Sequence, residues 1–126
     1  MAVVGVGVDA IEIERVERAL ARTPALVDRL FTDAEQAHCA RRDGRRRVAR
    51  FAGRFAAKEA VAKALGTGVA GFGFRDIEIL SDGDGAPRVI LSAAAIEVAS
   101  RLGVARVHVS LSLTGHLAVA MAVAER

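Results

Sequence analysis

The apolar residues of this chain change period partway along. From Ile11 to Leu65 they recur at helical spacing, and from Phe74 onward they alternate as strands do. Ahead of both, Val3 to Val8 is a short apolar run broken by Gly5 and Gly7, which predicts a buried strand with Asp9 at its carboxyl end. Residues 11 to 22 predict a helix with Ile13, Val16 and Leu20 on its apolar face and Arg15, Arg18 and Arg22 on another. Thr23 and Pro24 restart the chain as N-cap and first turn of a short helix through Leu30. Thr32 and Glu35 have the spacing of a capping box. An arginine-rich loop around Gly44 then leads into a long helix over residues 48 to 65.

In the second half, Phe74 to Leu80 and Arg88 to Leu91 read as strands joined by the turn chemistry of Ser81 to Pro87. Ser92 caps a helix through Leu102, closed by Gly103. Val104 to Leu113 and Leu117 to Ala124 form two more strands around Thr114-Gly115-His116. Helices early and antiparallel hairpins late predict an α+β fold: a small, mostly antiparallel sheet packed with a long central helix and several shorter ones. No repeat or linker interrupts residues 1–126, which read as one domain.

Composition narrows the classes. Apolar residues make up 52% of the 126, enough for a real core, and Ala and Val supply most of them. Without Trp or Tyr, a base-stacking platform would depend on five Phe in core-like contexts. The sole cysteine, Cys39, excludes an internal disulfide and a four-cysteine zinc site, and packs as a small apolar group. Neither a signal region after Met1 nor an apolar run of membrane-spanning length is present, so a soluble cytoplasmic protein is expected. Net charge is +3, with arginines gathered in Arg41-Arg42-Asp43-Gly44-Arg45-Arg46-Arg47. Such a surface suits an anionic partner: a phosphorylated cofactor, an acidic protein or nucleic acid.

Charge also stands where an apolar face is expected. On the long helix Phe51, Phe55, Ala62 and Leu65 share a stripe with Lys58 in its middle and Glu59 on its border. Gly53, Ala56, Ala60 and Ala64 line the other side and admit a close neighbour. Burying unpaired charge is costly, so these residues point to a site. Asp9 and Glu59 are two hard carboxylate ligands suited to magnesium on a phosphorylated substrate. The plainer alternative makes Asp9 the cap of the 11–22 helix and Glu59 an i,i+4 partner of Lys63. Arg54, Lys58 and Lys63 are candidate phosphate ligands, although Lys58 can equally snorkel to water. Gly66-Thr67-Gly68 offers backbone N–H groups to an anion, or merely ends the helix. Gly5-Val6-Gly7 is no dinucleotide fingerprint, because Ala10 stands at the third glycine position. Asp82 to Gly85 is a turn rather than a calcium loop, since Pro87 and Ala93 occupy the required Gly and Glu positions. His38, His108 and His116 lack metal-ligand spacing.

Taken in order, these segments resemble the short holo-acyl-carrier-protein synthases, which are phosphopantetheinyl transferases. The resemblance rests on Gly5-Val6-Gly7-Val8-Asp9 with Glu12, Glu14 and Arg15, and on Phe31-Thr32-Asp33-Ala34-Glu35. It rests further on Arg54-Phe55-Ala56-Ala57-Lys58-Glu59-Ala60 through Gly68, and on Val107-His108-Val109-Ser110-Leu111-Ser112. It implies a homotrimer that binds coenzyme A and magnesium at subunit interfaces and transfers 4'-phosphopantetheine to a serine of apo-acyl carrier protein. Asp9 and Glu59 would hold the metal, and Glu59, Lys63 and Asp9 would be catalytic. Arg54, Lys58, Lys63, Gly66, Gly68, Gly83, Pro87, Ser110 and Ser112 would contact coenzyme A, with Gly83 to Pro87 near its adenine. Arg15, Arg18 and Arg22 would dock the acidic carrier. One departure is Leu113, where many relatives carry histidine after Ser-x-Ser. That motivates a runner-up, a degenerate relative that binds coenzyme A without efficient transfer. A basic nucleic-acid-binding protein is the other alternative, motivated by the arginine cluster of residues 41–47 but leaving Asp9 and Glu59 unexplained.

Overall fold

The computed structural model describes residues 2–66, 72–81 and 85–126. Strand β1 (Val3–Glu12) leads into helices α1 (Ile13–Arg22), α2 (Leu26–Leu30), α3 (Asp33–Cys39) and the long α4 (Gly44–Ala64). A 3-10 turn (Phe74–Asp76) opens β2 (Ile77–Ser81), followed by β3 (Pro87–Leu91), α5 (Ala93–Arg101), β4 (Arg106–Leu113) and β5 (Leu117–Glu125). The strands form an antiparallel sheet in the order β1-β5-β4 and a separate β2-β3 pair. This is the predicted α+β architecture. No described helix is long and apolar enough to cross a membrane.

The main sheet brings the two ends of the chain together: Val6 faces Val123 and Asp9 faces Ala120. Ala118, Ala120, Ala122 and Ala124 of β5 are buried on the face covered by α4. Gly5 and Gly7 lie on that face too. A Cβ on Gly7 would stand 2.0 Å from the Ala60 carbonyl oxygen, and one on Gly5 2.0 Å from that of Ala64. The helix therefore rests backbone against backbone on the strand, which is what its small residues permit. The opposite sheet face is largely bare: Val6, Val8 and Met121 are 63%, 59% and 51% exposed.

Several boundaries differ from expectation. The arginine segment is no loop, since α4 starts at Gly44 and takes Arg45 to Arg47 into its first turn. Arginine is a good helix former, and local contacts hold it: Arg47 stacks 4.8 Å over Phe51 and Arg45 donates to the Gly115 carbonyl. Phe74 to Asp76 is a 3-10 turn because the Asp76 carboxylate accepts from Gly73 N–H and Ser92 Oγ, both at 2.6 Å. Thr23 closes α1, donating its N–H to Ala19 O, and caps nothing after it. The Thr32–Glu35 capping box and the Ser92 cap form as the spacing predicts.

Candidate active site

Asp9 sits inside β1 and not at a helix start; the residue capping α1 is Glu12, whose side chain makes no cap bond. The same backbone contact that needs Gly5 and Gly7 delivers Asp9 to α4. Lys63 reaches across, donating to Asp9 Oδ1 at 3.2 Å and to the Val8 carbonyl at 3.0 Å. Glu59, one helical turn before Lys63, joins the cluster. Burial raises its pKa above the usual carboxylate range, the Asp9 charge raises it further, and Lys63 opposes both. A carboxylate close enough to raise the proton affinity of Glu59, with one lysine set against the pair, leaves the cluster short of positive charge.

A cleft of about 370 Å³ opens from this cluster. Asp9, Glu59 and Arg15 line its polar end, and Leu20, Leu26, Leu30, Phe31 and Phe55 its apolar walls. Arg15 of the predicted docking set thus lies beside the carboxylates, while Arg18 and Arg22 are exposed along α1. No group of three or more His, Cys, Asp or Glu gathers among the described residues. As two hard oxygen donors on one cleft, Asp9 and Glu59 fit an ion whose remaining ligands are water and substrate oxygens, as magnesium is on phosphorylated ligands.

Lys58 needs correction. It is fully buried, paired with Glu35 at 2.7 Å, and donates to the carbonyls of Phe74 (2.8 Å) and Ile77 (2.6 Å). Burial lowers its pKa and the Glu35 carboxylate opposes that. An ammonium whose three donors are spent inside neither snorkels to water nor reaches a phosphate. The sequence offered one sign of this partner, because Glu35 is the capping-box acid, but not that the oxygen accepting from Thr32 N–H would also meet Lys58.

Arg54 is also buried, at 4% exposure, with Nη1 donating to Arg50 O at 3.4 Å. Its Nε finds no hydrogen-bond acceptor among the described residues. Burial lowers its pKa. Nearby, His38 has its pKa lowered by burial and then by the charges of Arg54, Arg50 and Arg41. Arg41 and His38 line a second cleft of about 410 Å³, together with Leu80, Ser81 and Arg88. Pro87 pairs with Ser81 at its edge. Ser110 and Ser112 point the other way, onto the bare sheet face opposite Met121 and Val119. Within one chain they do not meet Asp9. Gly66 ends α4 at φ 75° and so serves as its terminator; Gly68 and Gly83 lie outside the described residues. Leu113 packs its Cδ2 3.3 Å from where a Gly53 Cβ would stand.

Comparison with known proteins identifies the family and its fold. Residues 5–122 match the family model of the 4'-phosphopantetheinyl transferase superfamily. The holo-acyl-carrier-protein synthase of Salinispora arenicola is 50% identical over 124 residues, covering 98% of this chain and 99% of that protein. The crystal structure of the Neisseria meningitidis synthase superposes with a TM-score of 0.90 at 32% identity, covering 99% of this chain and all of that one (100%). The Bacillus anthracis synthase, solved in complex with coenzyme A (3',5'-ADP), gives 0.81 at 36% identity over 97% of this chain and 96% of that one. On sequence and fold together, this chain belongs to the 4'-phosphopantetheinyl transferase superfamily and, within it, to the holo-acyl-carrier-protein synthases.

Proposed function

We propose that this protein transfers 4'-phosphopantetheine from coenzyme A to a serine of apo-acyl carrier protein, using magnesium and working as a homotrimer. The observation that carries it is the meeting of Asp9, Glu59 and Lys63 at the head of the cleft, in a chain matched over nearly its whole length by holo-acyl-carrier-protein synthases. In the reaction the serine oxygen bonds to the β-phosphorus of coenzyme A. The bond from that phosphorus to the bridging oxygen breaks, and adenosine 3',5'-bisphosphate leaves with the electron pair.

Such a displacement asks a protein chiefly for alignment and charge neutralisation. Asp9 and Glu59 would hold magnesium, which when bound supplies positive charge against the pyrophosphate. Lys63, anchored at Asp9 and Val8 O yet half-exposed, directs a second cation toward the same place. The serine proton would pass to Glu59 or to a water held beside it. Arg54, with Arg41 on the rim of the second cleft, would meet a phosphate farther along coenzyme A. Arg15, Arg18 and Arg22 would receive the acidic carrier at the mouth of the cleft.

The bare sheet face supports the trimer. Val6, Val8 and Met121 form an apolar strip that a neighbouring copy would cover, which would bring Ser110 and Ser112 into a shared site. Intact-mass measurement of an apo-acyl carrier protein incubated with this protein, coenzyme A and magnesium tests the proposal. Gain of one phosphopantetheine, abolished by chelator, is expected. No gain with several carriers would refute transfer and leave the degenerate relative, with Leu113 as its first suspect.

A further inference from the structure

The side of α4 turned to the sheet is smooth, whereas Phe51 and Val61 are buried on its other side. Ala52, Gly53, Ala56, Ala57, Ala60 and Ala64 are all buried along the smooth side. Packing attraction has no direction of its own, and side chains this small offer few ridges to lock a helix in rotation or along its axis. Yet Glu59 and Lys63 must face Asp9 from this helix.

Directional bonds leave α4 at Arg50, which donates to His38 O at 2.9 Å, and at Lys63, and a wholly buried pair adds three more. The Lys58 ammonium donates to Glu35 Oε1 at 2.7 Å, to Phe74 O at 2.8 Å and to Ile77 O at 2.6 Å. Glu35 is itself fixed, with Oε1 accepting from Thr32 N–H and Oε2 from Ile79 N–H, both at 2.9 Å. The pair thereby ties α4 to α3 and to β2, and both side chains are wholly buried. Stripping two ions of water offsets most of their attraction, so a buried pair contributes less to stability than to a unique arrangement. Neither residue lines the cleft. Glu59 follows Lys58 directly in the chain.

We propose that the Glu35–Lys58 pair is a positioning device for the active site: it sets the rotation and axial position of α4 at which Glu59 and Lys63 meet Asp9. This rests on the transfer reaction proposed above.

Two variants test it. Glu35→Gln combined with Lys58→Met removes both charges at once, so neither ion is left buried alone. Glu35→Asp keeps the charge but shortens the reach by one methylene, so that the carboxylate can no longer hold Ile79 N–H and Lys58 together. For each folded variant we would measure kcat, the KM for carrier protein, and the dissociation constant of manganese(II) by electron paramagnetic resonance with coenzyme A present. The expected result is a kcat lower by roughly ten- to a hundredfold and weaker manganese binding. The carrier KM should be unchanged, because the docking arginines of α1 are untouched. Wild-type kcat and manganese affinity per folded molecule, in either variant, would overturn the proposal. Should the double variant not fold, Glu35→Asp decides alone. Wild-type protein is run in parallel: no transfer by it refutes the proposed function and this inference together, whereas active wild type beside unchanged variants removes only the positioning role.

Discussion

Substituting Gly7 by Ala tests the backbone contact on which the site is built. The new methyl carbon would lie 2.0 Å from Ala60 O and 2.8 Å from Ala64 N. Carbon–oxygen contacts begin at about 3.3 Å, so β1 and α4 must part by roughly 1 Å, and both obstacles are backbone that cannot swing aside. A gap of that order forfeits about a quarter to a half of the dispersion attraction of the atoms facing it. The expected cost is about 3 kcal/mol, the upper end for overpacking. Urea denaturation should read this as a midpoint lower by about 1.5 M, taking a slope of about 2 kcal/mol per molar. Two glycines calibrate the experiment. Gly66 has open space around it but φ 75°, so Gly66→Ala should cost about 1–2 kcal/mol from left-handed strain alone. Gly115 meets nothing within 4 Å, so Gly115→Ala should stay within about 0.5 kcal/mol of wild type. If Gly7→Ala unfolds together with Gly115→Ala, β1 does not rest on α4 as described.

Glu59→Gln should keep the urea midpoint of wild type while abolishing magnesium-dependent turnover; near-normal turnover would reject Glu59 as an essential ligand. Charge reversal at Arg15 and Arg18 should raise the KM for carrier protein far more than that for coenzyme A, and equal effects would argue against docking on α1. Met121→Glu places charge on the bare sheet face and should dissociate the proposed trimer in sedimentation velocity; an unchanged sedimentation coefficient would remove that face from the interface. Asp76 titrates below the ordinary carboxylate value because Ser92 Oγ and then Gly73 N–H donate to it. A group depressed in the folded state stabilises above its unfolded pKa of about 3.9, and that contribution is lost as pH falls through the folded value. Wild type should therefore exceed Asp76→Asn in urea midpoint at pH 6, with the difference closing as pH drops below about 4; a constant difference would refute the assignment.

The sequence by itself determined what local chemistry controls. The period of Ile13, Val16 and Leu20, the Thr32–Glu35 box and the Ser92 cap each depend on residues within a turn or two, and each stands in the structure where spacing puts it. Residue chemistry marked Lys58 and Glu59 as charges on an apolar stripe and Asp9 with Glu59 as a ligand pair, and the structure brings Asp9, Glu59 and Lys63 together. Tertiary structure decided what depends on distant partners. Asp9 as a strand carboxylate held by Lys63, rather than a cap, follows from β1 pairing with β5 across nearly the whole chain. Lys58 became an internal strut rather than a phosphate ligand because Glu35 from α3 and the carbonyls of Phe74 and Ile77 from the start of β2 converge on it. Arg45 to Arg47 read as a loop by charge and became helix through contacts with Phe51 and Gly115. Ser110 and Ser112 turned away from Asp9 by strand parity, which register alone sets. Local sequence can show that a charge is out of place; only the packed chain shows which atoms answer it.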